Sequence, residues 1–217
     1  MSDARQGERR LPMALAVLAV AGLYLFIPDD FRLAPWTRIA FPAFLVVLLL
    51  VLVIGDPGRI DREVRWLRTL TGVMIAIITF FTLVAAVRLV LGILHKSAFA
   101  DAGQLLVIGG IILFTNMVAF ALWFWHLDSG GPAARAHGRT GHRQAFMFPE
   151  QAAPHIVGDG WYPQFVDYFA VSFNTSTAFS PTDVSAVRHW SKLFMIVESS
   201  TSLLLVALVI ARAINIL

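Results

Sequence analysis

The sequence predicts an all-α integral membrane protein with five transmembrane helices plus one re-entrant helix near the C-terminus. Three observations predict it. Of 217 residues, 58% are hydrophobic and 14% charged, whereas a soluble domain of this length carries roughly 25% charged residues. Five apolar runs come near or exceed the ~20 residues that cross a ~30 Å hydrocarbon core. A sixth, "QFVDYFAVSF", stops after about ten residues and gives way to the hydroxyl-rich "NTSTAFSPTDV"; runs of that length are re-entrant or buried rather than spanning.

The elements follow in order. "MSDARQGERR" is short, polar and basic, and residues 11–27 form the first span. No small-residue cleavage site precedes "PDDF", so the run reads as a helix that stays rather than a signal peptide. The second span covers residues 39–54 and stops at the turn signal "GDPG". The charged connector "RIDREVRWLR" leads to a third span at 69–94, and "HKSAFADAGQ" to a fourth at 105–125. Residues 128–161 are rich in Gly, Pro and His without a period, a long loop of the kind that often carries function. A short helix at 164–177, a turn at 178–183 and a last span at 190–213 complete the chain. This divides it into an N-terminal region, 1–104, with three spans, and a C-terminal module, 105–217. Six spans, with residues 164–180 crossing fully, are the alternative; the hydroxyls crowding that segment argue against it.

The net charge is +3 and Cys is absent, which excludes disulfides, thiol chemistry and thiolate metal sites. The charge lies in the connectors and reads as orientation signal and headgroup contact, not nucleic-acid binding. Arg5, Arg9 and Arg10, then Arg59, Arg62, Arg65 and Arg68, then Arg135, Arg139 and Arg143 fall on one side of the predicted membrane; Arg32, Arg38 and Lys96 fall on the other. The positive-inside rule places the N-terminus and long loop in the cytoplasm and the C-terminus outside.

Irregular backbone at membrane depth is tolerated where it is buried in protein or lines a water-filled cavity. A short helix, a turn carrying Ser180, Pro181, Thr182 and Asp183, and a return would make a pore loop. Its hydroxyls and free carbonyls can replace an ion's water shell, and the negative end of the half-helix suits a cation.

"NTSTAFSPTDVSAVRHWSK" resembles the pore segment of potassium channels: a Thr-rich pore-helix end, the filter T-V-G-Y-G-D, then a linker with Trp and a basic residue before the inner helix. Aligned without gaps, Thr175 and Thr177 match the pore-helix threonines, and Ala178, Phe179, Ser180, Pro181 and Thr182 cover T-V-G-Y-G. Asp183 matches its Asp, and Val187, Trp190 and Lys192 match the linker. The resemblance covers about fifty C-terminal residues. It implies a potassium-channel-like pore module, a homotetramer, and monovalent or divalent cations as the passing species. The departure lies in the glycines, whose freedom of backbone handedness the filter uses. Ser180 and Thr182 stand in their places, and Pro181 fixes its own φ. The resemblance thus implies either a wider, hydrated pore or a closed axis plugged by side chains such as Phe179. The pore loop of potassium channels enters from outside, opposite to the charge count, whereas ionotropic glutamate receptors use an inverted version. The whole chain also resembles an uncharacterised family of bacterial integral membrane proteins, through "ALWFWHLDSGGP", "TAFSPTD" and "ARAINIL", which implies a multi-pass protein of the bacterial cytoplasmic membrane.

Below the turn, Glu198 and Ser202 sit in the last span. An intramembrane carboxylate is expensive. Glu198 is either a cavity-lining ion or proton site, or a carboxylate paired with a basic residue such as Arg88 or Arg212. Ser202 stands where the inner helix of potassium channels often has its hinge Gly. The run Ser199, Ser200, Thr201, Ser202 suits close helix packing. Asn116 points to a bond with a neighbouring helix, Trp123 and Trp125 to an interfacial belt, and His126 to a hydrogen bond with the loop. His137 and His142 lack the carboxylate or Cys that would make a metal site. No phosphate loop, Ser-His-Asp spacing or H-E-x-x-H motif points to an enzyme or a cofactor. A non-conducting scaffold subunit is the competing function, and a small secondary transporter, which usually shows paired half-repeats, the remote one.

Overall fold

The computed structural model describes residues 7–62, 64–95, 101–138, 144–158, 160–177 and 183–216. It is all-α apart from two minimal strand pairs. Helix α1, Leu11–Tyr24, opens with Pro12 in its first turn, where a missing N–H costs nothing. α2 is Thr37–Gly55, with Pro42 near its start. α3 is Arg65–Leu94 and α4 Ala102–Leu127. Asp101 caps α4, accepting from the backbone N–H of Gly103 at 3.0 Å and of Gln104 at 3.2 Å. Two short helices follow, α5 at Pro132–Ala136 and α6 at Pro154–Val157. α7, Phe165–Thr177, and α8, His189–Ile216, end the chain.

Among the described residues four helices are long and apolar enough to cross a membrane: α2, α3, α4 and α8. α1 is apolar but has 14 residues, about 21 Å of helix. The fifth expected span is therefore shorter than residues 11–27: the helix ends at Tyr24, and Leu25–Ile27 leave it as turns whose N–H groups bond three residues back.

α4 is the centre of the bundle. Its most apolar window is 72% buried, against 22% for α8, and it packs on α1, α3, α7 and α8. α8 buries one stripe, Ser191, Glu198, Ser202, Leu205, Val209 and Ala213, at the spacing of a single helix face. The rest, including Leu193, Ile196, Leu203 and Leu204, is exposed apolar surface. Close approach of α4 and α8 depends on Gly109: a Cβ there would lie 2.9 Å from a methyl of Val209.

The N-terminus, the α2–α3 connector and the long loop share one end of the bundle. Strands β1, Glu8–Arg9, and β2, Arg59–Ile60, pair antiparallel, and His137 Nε2 lies 2.9 Å from the Asp61 carbonyl. Within the 128–161 loop Ala133, Ala134, Arg135, Ala136, Ala145, Phe146 and Phe148 are buried, whereas Gln151, Pro154, His155 and Ile156 are exposed. Its strand β3, Phe146–Met147, pairs with β4, Ser185–Ala186, just before α8. At the other end Tyr24 and Thr37 join their hydroxyls at 3.0 Å, and Arg32 pairs with Asp29.

Candidate functional site

A polar seam runs between α4, α7 and α8. Ser172 and Ser176, one turn apart on α7, both donate toward Glu198 Oε1, Ser176 at 2.9 Å. Ser172 Oγ also donates to the Met117 carbonyl at 2.7 Å. Ser199 Oγ donates to the Thr175 carbonyl at 3.2 Å, and Asn116 Nδ2 to Ser202 Oγ at 3.2 Å. Glu198 and Ser202 are fully buried. Among the described residues Glu198 Oε2 and Thr175 Oγ1 have no hydrogen-bond partner.

A hydrogen count constrains this seam. Ser172 has one hydroxyl hydrogen and faces two acceptors, the Met117 carbonyl and Glu198 Oε1. A carbonyl can only accept. A proton on the Glu198 carboxyl resolves the count, because the carboxyl then donates to Ser172 while Ser172 donates to Met117. Among the described residues no cation pairs with this carboxyl. Arg88 reaches the Asp30 carbonyl at 3.4 Å instead. Arg212 lies fourteen residues along the same helix, about 21 Å away.

The expected filter residues fall as follows. Thr175 is buried with its carbonyl bonded to Ser199. Thr177 turns its hydroxyl onto its own helix, bonding the Phe173 carbonyl at 2.9 Å. Asp183 is exposed, just before β4. Ala178, Phe179, Ser180, Pro181 and Thr182 lie outside the described residues, as does His142.

Sequence reasoning missed a second polar group, beneath the loop. Arg135 is 1% exposed; its guanidinium donates to the carbonyls of Trp125 at 2.8 Å, Asp128 at 2.9 Å and Pro163 at 3.2 Å, and stacks 4.8 Å from the Tyr168 ring centroid. Asp128 Oδ1 accepts from Ala145 N–H at 2.6 Å and Oδ2 from Tyr168 O–H at 2.5 Å. Glu8 accepts from Trp125 Nε1 at 2.8 Å and from Phe165 N–H at 2.5 Å. Burial pushes the Glu8 carboxyl above its ordinary pKa of 4.5, and those two bonds together with Arg135 pull back less strongly. These contacts join β1, the ends of α4 and α7, and the loop. The only signal in the sequence is an Asp and an Arg in a stretch of small residues, "LDSGGPAARA".

Trp125 is therefore core rather than interfacial belt: it is 1% exposed, because Glu8 satisfies its N–H. Trp123 is half-buried and donates to Thr79 Oγ1 at 2.9 Å. His126 is buried against the Trp123 ring, 6.4 Å between centroids, and lines a cavity at the N-terminal end.

In comparisons with known proteins, no family model, no curated protein and no solved structure matches this chain.

Proposed function

We propose that the chain is the pore-forming subunit of a cation-conducting assembly in the bacterial cytoplasmic membrane. In this reading α1, with the turns that follow it, makes a fifth crossing. α7 is a re-entrant pore helix, and residues 178–184 return to the side from which α7 entered. Several copies, four by the potassium-channel analogy, surround an axis. Asp183 stands at the mouth, and Thr175, Thr177 and the 178–182 turn form the constriction. Glu198 and Ser202 lie behind it.

One observation carries the reading: α7 and α8 begin at the same end of the bundle. Phe165, the first residue of α7, bonds Glu8, which β1 ties to the α2–α3 connector. The approach to α8 is tied to the loop at that same end, through β3–β4 and Val187 N–H to the Ala145 carbonyl at 2.8 Å. From those starts the two helices run side by side, with Ser172 and Ser176 level with Glu198. Thr177 lies about 18 Å in from Phe165. The eight steps from Thr177 to Ser185 span up to ~27 Å extended, enough to come back. The exposed apolar flanks of α8 leave room for neighbouring copies.

A second reading, a non-conducting scaffold, draws on the burial of Glu198 and Ser202 between helices of one subunit. The experiment that separates the two is cation flux in liposomes, with Asp183→Asn beside the wild type. The pore reading expects flux that falls several-fold in the variant. Absence of flux for every small cation, with a monomer by light scattering, overturns it.

A further inference from the structure

The N-terminal end of the bundle holds a cavity of ≈ 340 Å³, between the α2–α3 connector, the start of α3 and the end of α4. Arg10, Arg62, Arg65, Arg68 and His126 line it, and Asp56 is the one carboxylate among the described lining residues. Asp56 is already engaged by Arg10 at 3.1 Å. Arg10 is 7% exposed, and its Nε has no partner among the described residues. The side chains of Arg65 and Arg68 make no hydrogen bond or ion pair to a described residue, and both are exposed at the rim. An adjoining cavity of ≈ 280 Å³ shares Arg68 and adds Arg188 and Trp190.

Four guanidinium side chains thus line one recess, and like charges gathered in one place repel. Their repulsion is relieved by an anion, and a concave basic site concentrates one. The planar guanidinium fork matches phosphate oxygens two at a time. The volume stands at the lower end of small-ligand sites, large enough for a phosphate with a three-carbon alcohol. Leu52, Val64 and Leu67 give one wall an apolar face.

We propose that this cavity binds a phosphate ester of glycerophosphate size, its oxygens held by Arg10, Arg65 and Arg68. Two sources offer that chemistry: the headgroup of an anionic phospholipid and a soluble phosphate ester. The site is independent of the pore reading, since no residue of the polar seam lines it.

The test uses full-length protein in neutral detergent, with the thermal midpoint as readout. Glycerol 1-phosphate probes the soluble source. Mixed micelles with phosphatidylglycerol probe the lipid source, against micelles with a neutral galactolipid that lacks phosphate. A ligand that binds only the folded state raises the midpoint by mass action. The expected result is a rise of several degrees with at least one phosphate probe and none with the galactolipid. Most of the rise is lost in the Arg65→Gln/Arg68→Gln double variant. A rise with phosphatidylglycerol alone assigns the lipid source, and with glycerol 1-phosphate alone the soluble one. If the double variant's own midpoint drops, Arg68→Gln by itself serves and retains about half the rise. No rise with either phosphate probe, or an equal rise in the variants, overturns the proposal.

Discussion

Ser176 on α7 donates its hydroxyl hydrogen to Glu198 on α8 across 2.9 Å, and Ser172 meets the same carboxyl oxygen one turn earlier. The contact fixes the level of the short helix against the last one. It also supplies a buried carboxyl with hydroxyl partners instead of a cation. A neutral carboxyl is the form that fits the hydrogen count around Ser172.

Glu198→Gln is expected to fold and to cost no more than about 1–2 kcal/mol, because the amide oxygen can stand in the place of Oε1 and accept from Ser176 while Ser172 donates to the Met117 carbonyl. Glu198→Leu leaves Ser176 without its acceptor, while Ser172 keeps the Met117 carbonyl, and is expected to cost about 1–3 kcal/mol. Infrared difference spectra at neutral pH check the protonation directly. A carboxylic-acid carbonyl band present in the wild type and absent from Glu198→Gln agrees with the count, and an unchanged band contradicts it.

Glu8 makes stability depend on pH. Its folded pKa lies above the ordinary 4.5 because burial outweighs its hydrogen bonds. The folded state therefore holds the proton more tightly than the unfolded chain. The stability this contributes is full below about pH 4.5 and is lost as pH rises through the folded value. Denaturation followed across that window is expected to show stability falling with pH in the wild type and a flatter profile in Glu8→Gln. The variant also loses one of the acceptors that Trp125 and Phe165 use, at a cost of about 1–3 kcal/mol at every pH.

Tyr168→Phe removes the hydroxyl that Asp128 Oδ2 accepts at 2.5 Å and strands a fully buried carboxylate oxygen. The expected loss is about 2–3 kcal/mol, read as a lower thermal midpoint. The Asp128→Ala/Tyr168→Phe double variant is expected to cost less in total than the sum of the two single changes, because the pair acts as a unit. Additive costs would contradict the pairing.

Gly109→Ala is expected to destabilise by about 1–3 kcal/mol, since the new Cβ would sit 2.9 Å from Val209. Val209→Ala in the same chain makes room and is expected to restore most of it. Thermal melts of the four combinations give the coupling.

The spans at α2, α3, α4 and α8 were legible because hydrophobic length is a local property that a bilayer converts directly into helix. Asn116 was legible for the same reason: a lone amide in hydrocarbon needs a partner on the next helix, and Ser202 is it. α1 reads longer than it is, because the apolar run continues past Tyr24 after the helix has stopped. The Glu8, Asp128 and Arg135 contacts were not legible, because their partners lie far apart in the chain; Glu8 and Phe165 are separated by 157 positions. Trp125 misled for that reason too: a Trp at a helix end reads as interfacial until a buried acceptor is known. Glu198 was legible as a special residue but its partners were not. Serines on a short helix give no charge signal, whereas arginines invite pairing on paper.

The central claim is that the chain enters with α7 and comes back before α8. The protein has no cysteine, so single cysteines report without background. Gln164→Cys, just before α7, and Val187→Cys, just before α8, are exposed positions, as is Asn215→Cys near the end of α8. In sealed vesicles of known orientation, a membrane-impermeant thiol reagent is expected to label positions 164 and 187 from one side and position 215 from the other. Labelling of 164 and 187 from opposite sides would mean that the segment crosses straight through, and would contradict the account.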